Sequence, residues 1–121
     1  MPIPHIPALR AGRWYDSVDS VEAKDVRTGE ALARVSMVNA GLIRRDLARL
    51  DEAARALRTF AVRDILKKLE DAANLFATGT LPLGDATQSP DQYMATLSAT
   101  SGLPQTLVRR HVALSGERQL A

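Results

Sequence analysis

The chain has 121 residues, no cysteine, 45% apolar and 25% charged residues, and a formal net charge of +2 from 16 Lys and Arg against 14 Asp and Glu. That length accommodates one hydrophobic core and excludes two, the composition excludes general disorder, and the missing cysteines exclude a disulfide framework, a thiolate zinc site and a cysteine nucleophile. Charges of both signs are interspersed, which leaves no footprint for nucleic acid, and no apolar run approaches the roughly 20 residues that span a bilayer.

The opening "MPIPHIPALR" lacks the basic and apolar regions of a signal peptide, so a cytoplasmic location is expected. Pro2, Pro4 and Pro7 remove backbone donors and favour an extended arm over a helix. Ala11-Gly12 then marks a tight turn between Ala8-Leu9-Arg10 and Arg13-Trp14-Tyr15, a short hairpin that burial of Trp14 is expected to anchor. A second hairpin is predicted from "VEAKDV" and "ALARVSMV", joined through Thr28-Gly29. Along its second strand Ala31, Ala33 and Val35 fall on one side, Leu32 and Arg34 on the other.

From Asn39, a plausible N-cap, the period lengthens. Ile43, Leu47, Leu50, Ala54 and Leu57 form one apolar helical stripe opposite Arg44, Arg45, Arg49, Asp51, Glu52, Arg55 and Arg58. A second helix begins near Ala61, buries Val62, Ile65, Leu66, Leu69, Ala73 and Phe76, and reaches a C-cap near Gly79. The short link around Thr59 makes the two helices an antiparallel pair. "GTLPLGDATQ" reads as a loop. Ser89 as N-cap, Pro90 at the first helical position and Gln92 as capping-box partner start a third helix, which buries Tyr93, Met94 and Leu97 and ends at Gly102. Pro104 opens a fourth with Leu107, Val108, His111 and Val112 on one face, broken at Ser115-Gly116. The fold class expected is α+β, a single domain over residues 1–121, with β-hairpins at 8–36 and helices at 39–114.

Candidate chemistry is sparse. His5 and His111 are too few and too far apart for a metal site without carboxylates at ligand spacing, and His111 on an apolar stripe reads as a packed or edge residue. Asp64, Glu70 and Asp71, or Asp51 and Glu52, stand among Lys and Arg on solvated helix faces. The glycines at 12, 29, 41, 79, 84, 102 and 116 make neither of the phosphate-binding loop patterns. Arg44-Arg45 and Arg109-Arg110 are weak nucleic-acid signals, and Ser115-Gly116 lacks a nucleophile elbow. No catalytic, cofactor-binding or metal residue is assigned.

The run "RAGRWYDSVDSVEAKDVRTGEALARV" resembles the opening of NAD(P)-dependent aldehyde dehydrogenases, through Gly12-Arg13-Trp14, Thr28-Gly29-Glu30 and Ala33-Arg34-Val35 in that order. The helix "RDILKKLEDAANLF" and the stretch "SPDQYMATLSATSGLPQTLVRR" continue the likeness to about residue 110, in the style of a bacterial aldehyde dehydrogenase or acyl-CoA reductase-like branch. "DVR" stands where the family usually has Asn-Pro before the Thr-Gly-Glu turn. The resemblance implies an N-terminal fragment or truncated paralogue of an oxidoreductase, oxidising an aldehyde or reducing an acyl thioester with NAD or NADP. The family's cysteine nucleophile, its Glu base and its dinucleotide-binding elements lie downstream of such a segment, so this chain is expected to hold no cofactor and to be inactive alone. The expected partners are a second copy or the remainder of the enzyme, with no nucleic acid and no membrane. A stand-alone helical interaction or oligomerisation module is the alternative.

Overall fold

The structure, a computed structural model, describes residues 3–119, with side chains as far as residue 113. It is α+β, as expected: short strands in three small sheets, followed for the most part by helices. The strands β2 (Ala8–Arg10) and β3 (Arg13–Tyr15) pair antiparallel across Ala11-Gly12. Both turn residues have positive φ, +47° at Ala11 and +76° at Gly12, the combination of a type I′ turn, whose twist matches that of the strands it joins. Trp14 does not anchor this hairpin by burial. It sits opposite Leu9, and the two share the outer face at 72% and 63% exposure.

The second hairpin comprises β4 (Ser20–Lys24) and β5 (Ala31–Ser36). Its connection is organised by Asp25, whose Oδ1 accepts the N–H of Arg27 at 2.8 Å while Asp25 N donates to Glu30 O at 2.9 Å. Gly29, at φ +77°, supplies the left-handed step that glycine adopts without a Cβ clash. The N-terminal arm is more than extended. His5–Ile6 forms β1, which pairs parallel with β5 (His5 beside Arg34, Ile6 beside Val35), so β5 is the central strand of the order β1-β5-β4.

The single helix expected from Asn39 is two, α1 (Ala40–Leu47) and α2 (Leu50–Leu57). Asn39 caps the first, accepting from Leu42 N at 2.9 Å. Between them Arg49 N reaches Asp46 O and Glu52 N reaches Arg49 O, both at 3.1 Å. These three-residue steps break the α-helical ladder without any Pro or Gly, so the apolar period runs on through the break. The next helix, α3 (Val62–Thr78), begins after Ala61 and ends at Gly79 as expected. The three bury no residue. The expected antiparallel packing of the two stripes is therefore overturned: Leu47, Leu50, Leu57 and Leu69 are 58 to 61% exposed, and α3 packs instead on the helices that follow it.

"GTLPLGDATQ" is not a loop. Leu81–Leu83 (β6) and Ala86–Gln88 (β7) form a two-stranded hairpin around Gly84-Asp85. Gly84 at φ +61° is the first central residue, where a type II′ turn takes glycine. Pro82 is tolerated because a two-stranded ribbon consists of edges.

Helix α4 (Pro90–Ser101) starts with the expected capping box. Ser89 Oγ accepts Gln92 N–H, and Gln92 Oε1 accepts Ser89 N–H at 2.8 Å. It ends at Gly102 in the left-handed conformation. Its Tyr93, Met94 and Leu97 are half-buried. Helix α5 (Gln105–Gln119) continues through Ser115-Gly116 instead of breaking there, because one interior glycine costs a helix only about 1 kcal/mol. Among the described residues only Ala33, Ser36, Ser98 and Val108 are buried. Ser98 Oγ donates to Leu103 O and so fixes the α4–α5 corner. Val26 N donates to Ala99 O at 3.0 Å, tying the second hairpin to α4.

Gly84 also joins distant parts of the chain. A Cβ there would collide with the backbone carbonyl of His5, and Asp85 Oδ1 accepts the His5 N–H at 3.0 Å. Gly84→Ala is expected to destabilise the protein by about 1–3 kcal/mol, from φ strain and lost close approach. Ala11→Asn is expected to stabilise it by roughly 0.5–1 kcal/mol, since Asn tolerates the left-handed region better than Ala. Urea unfolding of both variants checks the opposite signs.

Candidate functional site

Three assemblies bring polar or apolar groups together. The first surrounds His5, for which the sequence offered no partner. Its Nε2 lies 2.9 Å from Ser36 Oγ and its Nδ1 3.8 Å from Asp16 Oδ1. The order Ser–His–Asp invites comparison with a hydrolase triad, and the geometry rejects it. Ser36 is 6% exposed, its Oγ already accepts Ser17 N–H at 3.1 Å, and 3.8 Å exceeds hydrogen-bond reach. Nor does Ser36 line the adjacent cavity formed by His5, Trp14, Asp16 and Leu83 to Asp85. The hydroxyl is a structural pin that fastens β1 and the Ser17 backbone to β5.

The second assembly docks the first hairpin on α1. Arg10 grips Asp46 with two parallel bonds, Nε to Oδ2 at 2.7 Å and an Nη to Oδ1 at 2.8 Å, the fork geometry that makes Arg–carboxylate pairs strong. The guanidinium also lies over the Tyr15 ring, 4.8 Å from its centroid, a cation–π contact. The Asp46 carboxyl is held below its ordinary pKa, first by the Arg10 hydrogen bonds; partial desolvation opposes this, and the positive charges of Arg10, Arg45 and Arg49 reinforce it.

The third is apolar. Helices α3, α4 and α5 enclose an open groove of about 750 Å³ whose lining includes Leu69, Phe76, Leu81, Tyr93, Leu97 and Val112. Phe76 and Tyr93 meet edge to face at 5.0 Å between centroids. His111 lines this groove and is exposed, an edge histidine with no acid–base partner within reach among the described residues. The groove adjoins the uncovered α3 face, where Val62, Leu66, Leu69 and Leu75 are exposed. Among the described residues nothing covers these side chains.

The remaining candidates from the sequence stay apart. Glu52 pairs with Arg49, Asp64 with Arg63 and Asp71 with Lys67, all at the surface, where such pairs contribute little. Arg109 pairs with Asp91 across α4 and α5 at 3.0 Å. No three His, Asp or Glu side chains group to hold a metal among the described residues. No family model, curated protein or solved structure matches the chain.

Because the folded Asp46 carboxyl titrates below its unfolded value, its contribution is complete above about pH 4 and is lost as pH falls through the lowered value. Asp46→Asn should therefore lower the melting temperature at neutral pH, with the difference from wild type shrinking as the solution is acidified past the carboxylate range. Paired melts across that interval check the sign.

Proposed function

We propose that the chain is the N-terminal segment, or a short paralogue, of an NAD(P)-dependent aldehyde dehydrogenase-like oxidoreductase, inert by itself and completed by further protein. The observation that carries this is the order of its elements. Gly12-Arg13-Trp14 runs from a tight turn into the second strand of the first hairpin, Thr28-Gly29-Glu30 lies in the connection of the second, Ala33-Arg34-Val35 lies in the central strand of the three-stranded sheet, and helices follow. That order is the one on which the resemblance rests. The exposed stripes of α1 to α3 and the adjoining groove support the need for completion, since four buried residues among those described are few for a chain of this size.

In a complete enzyme of this kind a cysteine would attack the carbonyl carbon to form a covalent intermediate. This sequence contains no cysteine. Its own contribution would be scaffold: a β-layer with hydrogen-bonded edges and helix faces that receive the remaining domains. No described helix is long and apolar enough to cross a membrane.

A second reading, a self-associating helical module, is favoured by the same uncovered stripes. The reading frame past Ala121 separates the two. A frame that continues into a cysteine and a glycine-rich strand–helix turn is expected, and an immediate stop codon in the native gene would leave the module. The purified chain, mixed with a short-chain aldehyde and NAD⁺ or NADP⁺, should produce no absorbance at 340 nm. In sedimentation, Leu50→Glu with Leu57→Glu should reduce self-association by the wild-type chain, because both side chains lie on the exposed stripe and their replacement leaves the buried residues intact.

A further inference from the structure

Beside the Arg10–Asp46 contact lies a cleft of about 310 Å³ lined by Arg10, Arg13, Trp14, Tyr15, Arg45, Asp46 and Arg49. Four guanidinium groups and one carboxylate converge on it. Both oxygens of that carboxylate are already taken by the Arg10 fork, so Asp46 presents a neutralised pair to the cleft. Arg49 donates to Glu52, and Glu52 is not part of the lining. Arg13 and Arg45 make no ion pair among the described residues. Counting Arg10, Arg13, Arg45 and Arg49 against Asp46 and Glu52 leaves a surplus of two positive charges.

We infer that this cleft binds a small phosphate-bearing anion, with Arg13 and Arg45 as its principal ligands and Arg49 in support. Guanidinium groups present forked, planar donors that match the oxygens of a phosphoryl group and remain charged at any physiological pH. The volume suits a compact anion and is too small for a helix or a duplex. The floor is rigid, because Arg10 is clamped between Asp46 and the Tyr15 ring, so little ordering is left to be done on binding. Trp14 stands at the rim, 72% exposed, and is the only tryptophan in the chain. The site therefore has a fluorescent reporter among its lining residues. This inference does not rest on the oxidoreductase proposal.

The full chain is titrated with inorganic pyrophosphate and, separately, with ADP at low ionic strength, following Trp14 emission and heat of binding. Saturable binding of either probe is expected, weakening as salt screens the charges. The two arms separate the sources of the phosphate: equal affinities assign the site to a free oligophosphate, and tighter ADP binding assigns it to a phosphate joined to a planar ring. Arg13→Ala with Arg45→Ala should weaken binding at least tenfold. Both side chains are exposed, and circular dichroism confirms that the variant is folded. Arg63→Ala, on an 89% exposed side chain outside the cleft, serves as the control and should leave affinity unchanged. Absence of saturable binding up to millimolar concentrations of both probes, or equal binding by the wild type and the folded double variant, overturns the assignment.

Discussion

The N-terminal arm is held along both of its edges, and the arrangement of the β-layer follows from that. On one side β1 pairs parallel with β5, and Pro4 O accepts Arg34 N–H. On the other, the Gly84-Asp85 turn reaches the His5 backbone at a distance that only a residue without Cβ permits. The His5 ring then adds a contact to the buried Ser36 hydroxyl. One two-residue strand thus connects the central sheet to the β6–β7 hairpin, which leads directly into the capping box of α4. Parallel pairing needs a long crossover, and here the intervening chain supplies a hairpin and a second sheet strand.

The helical half is attached more sparingly. Helix α1 is tied to the first hairpin through Arg10 and Asp46. Helices α4 and α5 close on each other around Val108 and Ser98. Between these anchors, α2 and much of α3 present leucines to the outside. Buried apolar area is the main favourable term in folding, so the chain has left much of its available stabilisation unused. That surplus is what makes a larger assembly physically reasonable, whether the cover is the body of an oxidoreductase or another copy.

Much of the local structure was legible because its determinants lie within a few residues of one another. Ser89, Pro90 and Gln92 specify a helix start among themselves, and Asn39, Ala11-Gly12 and Thr28-Gly29 announce a cap and two turns. Features that failed to show depend on partners distant in sequence or on backbone details that side-chain periodicity does not record. Nothing near His5 says that residue 34 will pair with it. The break at Ala48–Arg49 preserves the apolar spacing and so leaves no mark. Pro82 and Gly84 read as interruptions, although Leu81, Leu83, Ala86 and Gln88 suffice for two short strands. Trp14 is exposed although apolar, because hydrophobicity alone does not say which face of a hairpin turns inward. The basic cleft has no local signature for the same reason as the His5 node: Arg13 and Arg45 come to line one cleft only when the hairpin folds onto α1.

The bond between His5 and Asp85 spans 80 positions of sequence. During synthesis the arm leaves the ribosome well before the β6–β7 hairpin does, so one of its two edges can be satisfied only after Asp85 has emerged. Loop closure over such a span is slow compared with formation of a local hairpin or helix. The two hairpins within residues 8–36 can form while the arm still waits beside them, its outer edge open to any other extended segment in the vicinity. The arm is therefore made before the hairpins it adjoins and reaches its final hydrogen-bonded state after them.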